Sequence, residues 1–178
     1  MDNRIKLVIA GVIIAVVAIV YVVIKQQEKL TEANSVPVYF VKTVVGSEYQ
    51  VLPVRRKVDK NDDRFVVALT ELIKGPTKRE KKLGYFSEIP ADTSIIEITS
   101  KDDVKIINLS HDFETGGGSA TMEMRLEQLI NTSLDSAGGV PVYLQIEGKQ
   151  VSTLGGEGIP VPQPLSNIQT KGAEGPCK

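Results

Sequence analysis

Residues 62–76 read DDRFVVALTELIKGP, and the reading of this stretch decides the fold. Phe65, Leu69, Leu72 and Ile73 recur at helical spacing and make one apolar stripe. Asp62 and Asp63 stand ahead of it, where a carboxylate accepts from the free amides of a first helical turn. Gly75 occupies the position past the last turn that favours positive φ, and Pro76 forbids continuation. The spacing predicts a helix over residues 64–74. A helix this short is marginal alone, so its stripe must be covered by other elements.

Outward from this helix the chain alternates between strand and helix patterns. Upstream, residues 36–41 (VPVYFV) are β-branched and aromatic and predict a strand, with Pro37 suited to a strand start or an edge. Residues 51–54 predict a short partner strand, with 44–50 connecting the two. Downstream, 77–94 is polar and reads as irregular. Residues 95–99 and 104–109 flank a short polar turn and predict a β-hairpin. After Gly116-Gly117-Gly118, either Ser119 or Thr121 caps a second helix running to about Ser133, with Met122, Leu126, Leu129 and Ile130 as its stripe. Residues 140–146 form a strand, Glu147-Gly148 a turn, and 149–153 a returning strand. The sum is an α+β domain: two helices packed on one face of a small β-sheet, in βαββαβ-like order.

Composition narrows the function. The chain has 178 residues and a mass of 19.4 kDa, enough for one domain and an appendage. Lys+Arg is 21 and Asp+Glu 22, for a net charge of −1. A nucleic-acid binder needs positive charge to neutralise phosphates, so nucleic acid is not expected as a partner. One Cys and one His exclude an intrachain disulfide, a multi-cysteine metal site and a paired-histidine zinc site. No cofactor is expected.

The N-terminal residues set the compartment. From Leu7 to Ile24 the chain reads LVIAGVIIAVVAIVYVVI. As a helix it is about 27 Å long, close to the roughly 30 Å hydrocarbon core of a bilayer. No small-residue cleavage pattern follows it and no Cys stands directly after it, the only one being Cys177, which favours an uncleaved signal anchor over a cleaved or lipidated leader. Lysine and arginine are nearly balanced across the run, and the short basic tail favours a cytoplasmic N-terminus. The expected organisation is a cytoplasmic tail at 1–6, a transmembrane anchor at 7–24, a juxtamembrane spacer at 25–35, the folded domain at 36–166 and a flexible tail at 167–178. The expected location is the cytoplasmic membrane, single-pass, with the C-terminal domain outside.

The chemistry-bearing motifs have structural readings. Glu71, Leu72, Gly75 and Pro76 serve helix termination. Gly116-Gly117-Gly118 lacks the following Lys of a phosphate loop and reads as a helix start. Ser110-His111-Asp112 carries triad letters, but triad members converge in space rather than in adjacent positions. Asp102-Asp103 and Asp112 with Glu114 lack EF-hand spacing. Two basic clusters, Arg55-Arg56-Lys57 and Lys78, Arg79, Lys81 and Lys82, read as solvated loops by default. The sharper reading is contact with anionic lipid, wall polymer or an acidic partner face. Cys177 reads as a free thiol in a tail.

Residues 65–76 (FVVALTELIKGP) resemble the helix and stop of the GerMN domain, the sporulation and spore germination module. Further landmarks follow in order: Val38-Tyr39-Phe40, Leu52-Pro53-Val54-Arg55-Arg56, Ile89-Pro90 before a two-strand segment, and Ile107-Asn108-Leu109-Ser110. They continue with Leu129-Ile130-Asn131-Thr132, Ile146-Glu147-Gly148-Lys149 and Pro164-Leu165-Ser166. The resemblance covers about 36–166. Ser133 departs from it, since an apolar residue usually follows Asn-Thr. The resemblance implies a bacterial envelope protein on a membrane anchor, a fold similar to ring-building modules of secretion-type assemblies, and no catalytic residues. Motif residues carried over are Glu71, Leu72, Gly75, Pro76, Asn131 and Thr132.

The expected function is a non-enzymatic, membrane-tethered module that mediates interaction with an envelope protein or self-assembly. The alternative is a wall-glycan-binding or auxiliary domain acting beside a peptidoglycan amidase.

Overall fold

The computed structural model describes residues 13–14, 16–22, 25, 34–44, 49–101, 103–156 and 158–167. The chain divides into two compact units, Met1–Ser35 and Val36–Lys178. In the first unit residues 13–14, 16–22 and 25 are helical and exposed. Among the described residues no helix is long and apolar enough to cross a membrane. Much of the expected anchor (7–12, 15, 23 and 24), the tail 1–6, most of the spacer, and residues 168–178 with Cys177 lie outside the described residues.

The second unit is mixed α+β. Its elements are β1 (Ser35–Thr43), β2 (Tyr49–Lys57), α1 (Arg64–Lys74), α2 (Lys78–Lys82), β3 (Tyr85–Phe86), β4 (Ile95–Lys101) and β5 (Val104–Leu109). A 3-10 turn (His111–Glu114) leads to α3 (Ser119–Ala137), β6 (Val142–Ile146), β7 (Lys149–Gln150), β8 (Thr153–Leu154) and β9 (Ile159–Pro160).

The helix that opened the sequence reading has the expected limits. Asp63 Oδ1 accepts from the amides of Phe65 at 2.8 Å and Val66 at 3.3 Å. Gly75, at φ 78°, donates its N–H to the Leu72 carbonyl at 3.1 Å. That φ is available to glycine without the steric penalty a Cβ brings. Phe65, Ala68, Leu69 and Leu72 are buried, which is the stripe read from spacing.

Four expectations need correction. The strands do not form one sheet: the orders are β2-β1-β3, β4-β5-β6-β7 and β8-β9. β1 pairs with β2 and β3, while β5 of the β4–β5 hairpin pairs in parallel with β6, across the α3 crossover. The helices therefore do not lie on one face of a single sheet; α1 packs mainly on α3, and α3 reaches β2, β6 and β9. The segment 77–94 is not irregular. Thr77 and Glu80 form a reciprocal capping box that starts α2, and Tyr85 and Phe86 pair with Lys42 and Val41. The partner strand is nine residues long rather than four. Finally, α3 continues past Ser133 to Ala137. The Ser133 and Ser136 hydroxyls donate to the Leu129 and Thr132 carbonyls one turn back, both at 2.6 Å. Those serines are thus satisfied inside the helix, which ends only at Gly138 in the left-handed region.

One core joins these parts. Val38 and Phe40 of β1, Leu69 and Leu72 of α1, Ile107 and Leu109 of β5, Leu126, Leu129 and Ile130 of α3, and Val142 and Leu144 of β6 are all but sealed from solvent. Leu154, Val161 and Leu165 complete it from the C-terminal side. There Gln163 acts as a one-residue strand: its side-chain oxygen accepts from Leu144 N–H at 3.1 Å, and its amide nitrogen donates to the carbonyls of Leu144 and Val151 at 3.0 Å each.

Candidate functional site

The residues with the strongest polar chemistry are on α3 and β2. Arg125 points into the core with 2% exposure. Its guanidinium donates to four backbone carbonyls: Glu88 at 2.9 Å, Phe113 at 2.7 Å, Thr115 at 3.1 Å and Gly116 at 3.1 Å. Burial lowers its pKa, and Glu88 opposes that by attraction. It remains charged, since guanidinium does not deprotonate in proteins. One turn on, buried Gln128 accepts from Glu88 N–H at 2.9 Å and donates to Tyr39 O and Ser87 Oγ, each at 3.2 Å. Thr132 Oγ1 accepts from Tyr39 N–H at 3.0 Å. Both backbone groups of Tyr39 are thus met by side chains of a helix. The Tyr39 phenol donates to Asp135 at 2.6 Å, and its pKa is pushed up to about 12, first by burial and then by that bond.

The expected motif residues fall into this framework. Leu72 is fully buried, and Gly75 and Pro76 end the helix. Glu71 is not a free surface carboxylate: it accepts from Arg56 Nε at 3.1 Å and from Lys74 Nζ at 2.7 Å. Arg56 turns its other two nitrogens to Glu80 at 2.6 and 2.8 Å, a bidentate pair whose side chains are 11% and 16% exposed. The Arg56 hydrogen bonds hold Glu80 down at about 2, against the opposing effect of burial. Arg56 therefore ties β2 to both α1 and α2 and is not presented to a partner. Lys57 pairs with Asp59 at 2.9 Å in full solvent. Arg55 and the α2 residues Lys78, Arg79, Lys81 and Lys82 are exposed. Asn131 hydrogen-bonds Glu127, and Thr132 serves Tyr39.

The triad letters do not converge. His111 Nδ1 lies 2.7 Å from Glu114, while Asp112 accepts from Ser110 at 3.0 Å. Among the described residues no group of three or more His, Cys, Asp or Glu is placed to hold a metal ion.

A groove of about 480 Å³ runs between the start of β2 and the first half of α3. One wall is Tyr49, Gln50, Val51 and Leu52; the other is Ala120, Glu123, Met124 and Glu127. The helix residues follow i, i+3, i+4, i+7 and so form a single stripe. Burial raises the pKa of the Glu127 carboxyl, and the Asn131 hydrogen bond opposes the rise. Tyr49 is 57% exposed and meets Phe86 edge-on at 5.6 Å. The sequence reading did not find this groove, because its walls lie about seventy positions apart. Nor did it find Arg125. The available signal was a cation and an amide, Arg125 and Gln128, set within the apolar stripe of α3.

The family model Germane, described as sporulation and spore germination, matches residues 37–152. No curated protein sequence matches the chain. Among solved structures, the first GerMN domain of the sporulation protein GerM from Bacillus subtilis is similar with a TM-score of 0.59 and 20% identity, over 74% of this chain and 96% of that one. The tandem GerMN domains of the same protein give 0.54 and 19%, over 75% of this chain and 45% of that one. A putative lipoprotein from Clostridium perfringens gives 0.46 and 24%, over 68% of this chain and 80% of that one.

Proposed function

This chain belongs to the Germane family of sporulation and spore germination, and from that premise we propose that it is a non-catalytic module tethered at the outer face of the cytoplasmic membrane. Its folded domain docks onto an envelope protein or assembles with other copies. The apolar run Leu7–Ile24 supplies the tether, being long enough for a bilayer core. Confinement to a thin layer raises the effective concentration of the domain for its neighbours, so modest contacts suffice.

The observation that carries this reading is the groove between β2 and α3. The polar side chains around the family motif are occupied in holding the fold, whereas the groove leaves a mixed apolar and acidic surface open to a partner. Proximity labelling from the full chain in its native cell tests the reading. The expected result is a short, reproducible set of envelope proteins. Recovery of a freely diffusing chain that turns over a substrate would overturn it.

A second reading rests on Tyr49. Its exposed ring at the groove suits stacking on a sugar, as a wall-glycan or amidase-auxiliary domain requires. Retention on purified peptidoglycan free of other proteins would favour this reading over the first.

A further inference from the structure

The two walls of the groove differ in kind. Side chains of successive strand residues point to opposite faces. Four consecutive residues, Tyr49 to Leu52, line one groove only if it runs along the edge of the strand, where N–H and C=O groups lie. β2 is the outer strand in the order β2-β1-β3, so among the described residues that edge pairs with no further strand. Pro53, which lacks an N–H, sits in the same strand, as is tolerated at an edge. The facing wall is a helix stripe carrying Glu123 and Glu127 one turn apart, with Met124 beside them.

We propose that this groove receives an extended segment of a partner protein, added as a strand on β2, with a lysine or arginine that reaches Glu123 and Glu127. The proposal rests on the interaction reading above and specifies its surface. Charge complementarity selects the occupant. The groove holds two carboxylates and no basic residue among those that line it. An acidic or neutral strand would cover both carboxylates without supplying a cation to balance their charge. A lysine or arginine lays its aliphatic stem along Leu52 and Met124 and brings its head to the carboxylates. Backbone hydrogen bonds along β2 give affinity, and the cation fixes register. The rise in the Glu127 pKa from burial agrees with this: the site is already partly dry before the cation arrives.

The test places the photocrosslinking residue p-benzoylphenylalanine at Gln50 in the full chain, in native membranes. A matched probe at Ile96, exposed on β4, serves as comparison. From Gln50 the captured peptide, sequenced by mass spectrometry, should be an extended segment containing lysine or arginine. The pair E123K/E127K should lower that yield roughly tenfold, and E123Q/E127Q by roughly threefold, as expected for lost charge pairing. Circular dichroism melts of both pairs check that the domain still folds, and the glutamine pair stands in if the lysine pair does not. Capture of a peptide without a basic residue, capture of glycan, or yields unchanged by both pairs would overturn the proposal. Capture from Ile96 alone would discard the groove and leave the interaction reading standing. No protein captured from either position would count against both.

Discussion

Helix α3 carries two polar faces with opposite fates. On its inner face Arg125, Gln128 and Thr132 reach the backbone of β1, of Glu88, and of the 3-10 turn and the loop after it. They act as connectors where no strand is available. On its outer face Glu123 and Glu127 line a groove, and the half-buried carboxyl of Glu127 is hydrogen-bonded to Asn131. The lesson is that polarity inside a helix stripe does not by itself mark a site. What matters is whether the group is matched within its own domain.

The comparison breaks most readily at Arg125. Replacement by methionine leaves four carbonyls without their donor, and we expect a loss of about 3 kcal/mol or more in urea unfolding. A loss below about 1 kcal/mol would mean that the inner face is not a connector.

Glu80 sharpens the contrast by pH. Its folded pKa, about 2, lies below the ordinary 4.5. Its contribution is therefore fully present above pH 4.5 and is lost as pH falls toward 2. Glu80→Gln should cost about 2 kcal/mol at neutral pH, as a charge-assisted pair does, and should flatten the acid limb of the stability curve.

Tyr39→Phe removes one hydrogen bond to Asp135 and should cost about 1 kcal/mol. The phenol has a raised pKa, so its contribution holds below pH 10 and fades as pH climbs through about 12. The ultraviolet difference titration of wild type against this variant should show one phenol ionising near 12.

The smallest effect is expected at the groove. A carboxyl with a raised pKa disfavours the folded state once pH passes its ordinary value. Glu127→Gln should leave stability within about 0.5 kcal/mol at pH 7, with a gain rather than a loss. A clear loss would place Glu127 with the connectors.

Local signals account for what was legible. Asp63, Gly75 and Pro76 bracket α1 within a few positions, so its limits could be read directly. The β4–β5 hairpin has a short connection and was equally readable. Long-range pairing was not. Nothing near β1 says that it avoids the β5–β6 sheet, and nothing near Arg56 says that Glu71 and Glu80 hold it. The basic cluster around Arg56 consequently looked like a surface patch. Ser133 suggested an early helix end, because serine competes with the helix backbone unless its hydroxyl bonds one turn back, as it does here. The groove depends on a strand edge and a helix stripe that meet only after folding.

The Gln163 clasp bears on how the domain can be cut. The family match stops at residue 152, yet both backbone groups of Leu144 are satisfied by a side chain eleven residues beyond that limit. A fragment trimmed to the family boundary would bare part of a central strand and remove Leu154, Val161 and Leu165 from its cover. Bared strand edges recruit strands from other molecules. Such a fragment should precipitate where a version ending after Ser166 stays dispersed, so the boundary for expressing this domain is better drawn after the clasp than at residue 152.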